Sequence, residues 1–348
     1  MTDRDQQNED SRKVEAIEKK LREEAKKLLE GKKVDVIVGY EAGTLPLTAV
    51  PTFVTDPSDT AKLLWNALCV QNLAKYVHDV IFQHRNAQKR VKPENRTKKV
   101  VGVVARGCTT RSIILHLQER QYTREEIVVL GVPCRGYVDK KKLSVLLEGQ
   151  EIVDGALDGE QLKVTTAAGD RIVAVADVLA DNCLTCRFNN PVINDLTVGE
   201  PAPAMRADEE YDAVKAFESR PSEERWAYFE KEMAKCIRCY ACRQACPSCY
   251  CPECFAEQSR PQWVGIGENA PDTQVFQIMR IFHMAGRCVD CGSCVAVCPM
   301  GVDLRTFLKK LDKDAYELFG SRAGASLDDP PVLATFREHE CEDFIYNP

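Results

Sequence analysis

Cys236, Cys239, Cys242 and Cys246 follow one another at intervals of three, three and four residues, and Pro247 comes next. Cys288, Cys291, Cys294 and Cys298 repeat the spacing, again followed by a proline, Pro299. Three thiolates at i, i+3 and i+6 on a tightly wound loop can meet three corners of one iron–sulfur cube. The fourth cysteine then lies past that cube, and in a chain with two such runs it serves the other cluster. The spacing therefore assigns Cys236, Cys239, Cys242 and Cys298 to one 4Fe–4S cluster. It assigns Cys288, Cys291, Cys294 and Cys246 to a second. Zinc bound by CxxC pairs needs four thiolates per site and leaves the repeated triple-plus-Cys-Pro pattern unexplained.

The first run belongs to a denser stretch, CIRCYACRQACPSCYCPECF, in which seven of twenty residues are cysteine. Four are used by the run, and Cys249, Cys251 and Cys254 are surplus. Two readings stay open for them: extra ligands to another metal centre completed elsewhere, or structural thiols that shield the cluster. Four further cysteines lie earlier in the chain. Cys108 follows the apolar run VVARG, Cys134 follows VVLGVP, and Cys183 and Cys186 form a CxxC. Spacing alone leaves these open between a third four-thiolate site and buried inert thiols, since cysteine packs well as a small hydrophobe. Cys69 reads as a core residue on the apolar face of a helix, and Cys341 as an exposed thiol in an acidic tail. The five histidines form no HExxH or H-x3-H pair, and His283 reads as a helix residue between the motifs. Lys235, Arg238, Arg243 and Arg287 stand near the motifs, where positive charge raises cluster potential.

The whole chain bounds this chemistry. Its 348 residues are 44% hydrophobic and 29% charged, with a net charge of −6. That balance argues against a sequence-independent grip on nucleic acid. No apolar run approaches the length that spans a bilayer, and the acidic start MTDRDQQNEDSRK contains no signal-peptide core. A cytoplasmic location is the expectation. In a reducing compartment, 17 cysteines point to metal or redox chemistry and not to disulfides.

Several elements must position these thiols. Residues 8–30 read as a charged helix that Gly31 stops. KKVDVIVGYEAG is a strand ending in a glycine-containing loop. DTAKLLWNALCVQNLAKYVHDVIFQH has an aspartate start signal and a helical apolar stripe. TKKVVGVVARGC, TRSIILHLQERQ and EEIVVLGVPCRG read as strand, helix, strand, a parallel α/β unit. Its strand ends share one sheet edge, where sites usually lie. Residues 150–180 alternate in short strands around Asp-Gly and Gly-Asp turns, a small β insertion. From about residue 209 the pattern is helical, including QVFQIMRIFHMAG between the motifs and VDLRTFLKKLDK after them. The expected architecture is an α/β N-terminal domain with a small β insertion, plus a mostly helical two-cluster ferredoxin domain. The expected boundaries are a charged helix at 1–32, the α/β domain at 33–205, the ferredoxin domain at 209–320 and a tail at 321–348.

Two resemblances extend this. VVARGCTTRSIILHLQ, IVVLGVPCRG and NCLTCRFNNPVINDLTVGE resemble the beta subunits of deazaflavin-coenzyme-reducing hydrogenases and formate dehydrogenases, over roughly residues 35–200. The shared features are Cys108, the Gly131–Cys134 element, the Cys183/Cys186 pair and the Asp195–Gly199 segment. The resemblance implies a third 4Fe–4S cluster at Cys108, Cys134, Cys183 and Cys186. It also implies FAD as a candidate cofactor, with no residues assigned to it, because GYEAGTLP is not a GxGxxG fingerprint. The second half, with 41 residues between Cys246 and Cys288 and CPMGVDL after the second run, resembles the helical dicluster ferredoxins. These include heterodisulfide reductase C and the iron–sulfur subunits of fumarate and glycerol-3-phosphate dehydrogenases.

Together these features lead to the expectation of an iron–sulfur electron-transfer subunit of a cytoplasmic oxidoreductase complex, with no catalytic acid–base pair of its own. The expected partners are a heterodisulfide reductase A-like flavoprotein or formate dehydrogenase or hydrogenase subunits, without nucleic acid or a membrane span. Two alternatives stand beside it: a self-contained flavin and iron–sulfur reductase of a small molecule, and an iron–sulfur redox sensor.

Overall fold

The computed structural model describes residues 3–203, 207–265, 267 and 269–335. The chain forms two compact units, one of residues 1–110 and 122–207, the other of 111–121 and 208–348. Cys341 and His339 lie outside the described residues.

The first unit opens with α1 (Asp3–Glu30), ended just past Gly31, where Lys32 takes a positive φ of 51° and the Lys33 N–H bonds back to the Leu28 carbonyl. The helix buries Leu21, Ala25, Leu28 and Leu29 along one stripe, as the 3.6-residue period requires. Then come β1 (Val36–Ala42), β2 (Ala49–Val54), α2 (Ala74–Gln88), β3 (Val101–Ala105) and the first turn of α3 (Gly107–Gln118), whose residues from 111 on belong to the second unit. After α3 follow β4 (Ile127–Gly131), α4 (Lys140–Leu146), β5 (Ile152–Asp158), β6 (Gln161–Thr166), β7 (Gly169–Ala174), α5 (Asp181–Leu184) and β8 (Leu196–Thr197). The main sheet runs β2-β1-β3-β4-β8. β1 and β2 are an antiparallel hairpin, and the other pairs are parallel. β1 and β3 bury five consecutive residues each, the uninterrupted apolar pattern of strands covered on both faces. β5, β6 and β7 make a separate antiparallel sheet. Leu162 and Val164 of β6 pack on Leu47, Val138, Leu143 and Leu147. The α/β architecture and its β insertion are thus as expected.

One element differs from its sequence pattern. The long helix expected from Asp59 is broken: a 3-10 turn covers Pro57–Lys62, and α2 begins only at Ala74. Two polar side chains explain the break. Asn66 and Asn72 accept the N–H groups of Leu68 and Ala74 through their amide oxygens, turns that compete with helical bonding. The carbonyls of Cys69, Val70 and Gln71 are taken by the guanidinium of Arg106. Cys69 is therefore fully buried, as expected of a core residue, but on an irregular segment and not on a helix.

The second unit combines residues 111–121 with α6 (Asp212–Glu218), α7 (Ser222–Ala234), α8 (Ala241–Gln244), α9 (Ala270–Phe282), α10 (Ser293–Ala296) and α11 (Leu304–Phe319). It is helical, as the sequence pattern suggests. Its core joins Phe229, Met233, Ile281, Met284, Leu304 and Leu308 to six of the motif cysteines and Cys249. A buried ionic cluster braces it. Lys309 Nζ donates to Asp312 at 2.8 Å and to Glu210 at 3.2 Å and lies 3.5 Å from Asp290. Arg305 holds both oxygens of Asp290 at 2.9 Å. Burial pushes the Asp290 carboxyl up, but Arg305 and Lys309 outweigh burial and hold it below the usual carboxylate range.

Candidate iron–sulfur centres

The two cysteine runs of the second unit adopt matching backbone turns. Arg238 and Tyr240 in the first, and Asp290 and Gly292 in the second, take positive φ between 50° and 72°. These are equivalent positions, just before and just after the second cysteine of each run. Three of the four are not glycine, so the left-handed turn costs energy, on the order of 1 kcal/mol per residue. The same cost at the same place in both loops fits a turn kept to aim thiols. Each run then enters a four-residue helix, α8 or α10, that carries its third cysteine.

Two cavities result. One is lined by Cys236, Cys239, Cys242 and Cys298, with Arg238, Gln277 and Met300 among its other walls. The other is lined by Cys288, Cys291, Cys294 and Cys246, with Arg280, Met284, Arg287 and Arg305. The fourth cysteine of each run thus stands in the cavity of the other. Among the described residues no three His, Cys, Asp or Glu side chains stand as a site for a single metal ion. In both cavities the thiols are spread around the walls of a space, the arrangement a cube needs.

Electrostatics and unpaired donors fit the same group. Burial pushes the thiols of Cys242, Cys288 and Cys294 up, that of Cys294 to about 12. Bare thiols here resist ionisation, and iron supplies the charge that makes them thiolates. Gln277 donates to Cys236 Sγ at 3.2 Å. Nε of Arg238 and Nε and Nη1 of Arg280 are buried without a hydrogen-bond partner. Such orphaned donors are costly, and sulfur of a bound cluster is an acceptor suited to them.

The surplus thiols of this stretch face different neighbours. Cys249 shares a hydrogen bond with Cys246, which favours its thiolate form. Cys254 bonds Arg243, whose guanidinium also reaches Glu257 at 2.6 Å. Cys251 is exposed. Tyr240 packs edge-on against Phe276 at 5.0 Å, and Tyr250 accepts from Arg287 at 2.7 Å. His283 follows α9 and stacks edge-on against Phe255.

In the first unit, β3 and β4 pair in parallel with Ala105 opposite Gly131. Cys108 and Cys134 each lie three residues beyond that pair. Cys108 falls inside the first turn of α3, which starts earlier than its sequence pattern suggests. Gly136, at φ +110°, leaves room for Cys183: a Cβ there would stand 3.0 Å from that of Cys183. The common neighbour is Arg106, which is buried. Its Nε donates to Cys108 Sγ at 3.2 Å, and its charge acts on Cys134 and Cys183. Cys186 in turn neighbours Cys183. Burial pushes the Cys134 and Cys183 thiols up, and Arg106 opposes this. Cys69 is a fifth thiol here: its thiol, pushed up to about 12 by burial, also feels Arg106 and Cys134.

The glycine loop after β1 leads into an antiparallel hairpin. At the start of α3, a Cβ on Gly107 would meet the Phe188 carbonyl at 1.7 Å and that of Asn190 at 2.7 Å. Only glycine fits this close approach of backbone carbonyls to Gly107.

Sequence reasoning passed over Arg106, Gln277 and Arg280. Gln277 and Arg280 lie on the buried stripe of α9 with Thr273, Phe276 and Ile281. Three polar side chains, Arg280 among them, on a stripe with Phe276 and Ile281 were the available signal.

Residues 232–302 match the family described as 4Fe-4S dicluster domain. The chain is 21% identical to the F420-dependent formate dehydrogenase subunit beta of Methanocaldococcus jannaschii, over 88% of this chain and 92% of that one. It is 24% identical to the F420-dependent formate dehydrogenase 1 subunit beta of Methanococcus maripaludis, over 88% and 91%. A chain of the F420-reducing [NiFe] hydrogenase complex from Methanosarcina barkeri aligns over 52% of this chain and 63% of its own, at 15% identity and a TM-score of 0.34. That last likeness is too loose to specify a fold. No helix among the described residues is long and apolar enough to cross a membrane. Residues 232–302 thus carry a 4Fe-4S dicluster domain, and along most of its length the chain is similar to F420-dependent formate dehydrogenase beta subunits.

Proposed function

We infer that this protein is an iron–sulfur electron-transfer subunit of an oxidoreductase complex. The carrying observation is the pair of four-cysteine cavities inside the dicluster domain. A 4Fe–4S cluster, when bound, takes up and returns single electrons. In the proposed assignment Cys236, Cys239, Cys242 and Cys298 hold one cluster, and Cys288, Cys291, Cys294 and Cys246 hold the other. Gln277 fixes the Cys236 sulfur, while Leu304, Leu308 and Met284 keep water from the cavities.

A third cluster at Cys108, Cys134, Cys183 and Cys186 is the finer part of this reading. Its support is the gathering of Cys108, Cys134 and Cys183 about the buried Arg106, with Cys186 beside Cys183, and the charge of Arg106 offsets that of a thiolate-bound cluster. FAD stays a candidate cofactor, with no residues assigned to it. The relatives favour a formate dehydrogenase as the partner enzyme. A hydrogenase or a heterodisulfide reductase A-like flavoprotein is served by the same one-electron relay. Cys249, Cys251 and Cys254 act in this reading as packing and shielding thiols, because Cys249 and Cys254 face different neighbours and Cys251 is exposed.

The test is reversible reduction. The anaerobically purified chain is cycled between dithionite and a mild oxidant, and the reduced clusters are followed by electron paramagnetic resonance. A relay returns the same signal and iron content over repeated cycles. Loss of iron after one cycle contradicts the relay and favours a sensor.

A further inference from the structure

The cavity lined by Cys246, Cys288, Cys291 and Cys294 has three arginines in its walls, Arg280, Arg287 and Arg305. Two are already matched by carboxylates. Arg287 holds Glu119 through bonds of 2.6 and 2.9 Å, and Arg305 holds Asp290 through two of 2.9 Å. Arg280 has no carboxylate partner among the described residues. It is 3% exposed, and Nη2 donates to the backbone carbonyl of Cys242 at 3.1 Å. Its Nε and Nη1 are buried with no acceptor.

A buried guanidinium without a counter-charge is strongly unfavourable. Its position says what balances it. The residue lines one four-thiol cavity, and the carbonyl it holds belongs to Cys242, which lines the other. Arg280 therefore stands between the two sites, with free donors beside the first. We propose that Arg280 is a shared counter-cation of the two clusters, a positioning residue that raises both reduction potentials and most strongly that of the cluster in the Cys246 cavity. The inference rests on the two-cluster reading above. When a cluster gains one electron from dithionite, its net negative charge grows by one. A fixed positive charge alongside favours that state without any proton or bond changing place. The effect on the other cluster is smaller, because Arg280 reaches that site through a backbone carbonyl.

Redox titration of full-length Arg280→Gln, followed by electron paramagnetic resonance with iron counted on the same sample, tests this. The expected result is a tenfold less favourable reduction of the cluster in the Cys246 cavity, a fall of about 59 mV for a one-electron couple. A smaller fall in the same direction is expected for the other. At least eight irons with both potentials unmoved overturns the role of Arg280 and leaves the two-cluster reading intact, whereas fewer than eight irons in the wild type overturns that reading itself. If Arg280→Gln fails to hold iron, Arg280→Lys decides. Full iron with potentials within threefold of the wild type in equilibrium constant supports a charge role. A tenfold fall, or loss of iron in this variant too, assigns Arg280 to packing and overturns the proposal.

Discussion

Cys246 and Cys298 are exchanged between the two cysteine runs: each lines the cavity built by the other run's first three cysteines. The exchange ties the loops around α8 and α10 together, so neither site is complete within its own run.

Single substitutions therefore have crossed effects. Cys298→Ala should remove the cluster of Cys236, Cys239 and Cys242, and Cys246→Ala that of Cys288, Cys291 and Cys294. Each variant should lose about four irons. Assignment of the surviving signal, by pairing each variant with Cys239→Ala or Cys291→Ala, checks it. Loss of the cluster belonging to the same run contradicts the exchange.

Removing Arg106 should unsettle the first unit. Its guanidinium serves the carbonyls of Cys69, Val70 and Gln71; Arg106→Met takes this donor from Cys69 and Val70, while Gln71 keeps the Tyr40 hydroxyl. A loss of about 3 kcal/mol follows from the deletion of charged hydrogen bonds. Denaturant midpoints of the two proteins measure it, and a shift under about 0.5 kcal/mol, the range of ordinary surface changes, contradicts it.

Cys69 and Cys108 should behave differently although both neighbour Arg106. Cys108→Ala should cost about four irons if the third cluster is present. Cys69→Ala should leave the iron count unchanged and reduce stability by about 1 kcal/mol, as a small core truncation does. Iron analysis of the two variants side by side gives the answer. An iron loss in Cys69→Ala moves the ligand set.

The ionic hub of the second unit is a stability element. Lys309 is shared by Glu210, Asp290 and Asp312; Glu210 and Asp312 are buried with it and Asp290 is mostly so. Lys309→Met leaves those carboxylates short of a cation and should cost about 3–5 kcal/mol. Urea unfolding reads the difference, and an unchanged midpoint contradicts the role.

The legible part of this molecule is the part whose chemistry repeats. The two runs, the apolar strands β1, β3 and β4, and the Asp-Gly and Gly-Asp turns around β6 carry local signals, so their spacing suffices. The break before α2 is not local: the helix is interrupted because Arg106, 35 or more positions along the chain, takes the carbonyls of Val70 and Gln71. Arg280 was hidden for a related reason. On a helical wheel it spoils an apolar stripe, and only the two cavities beside it explain why a charge belongs there.

The central claim is most directly tested by iron, acid-labile sulfide and flavin per chain after anaerobic purification. The account predicts at least eight irons with matching sulfide, two four-iron clusters, and about twelve if Cys108, Cys134, Cys183 and Cys186 hold a third. Zinc in place of iron, or fewer than eight irons with little sulfide, contradicts it.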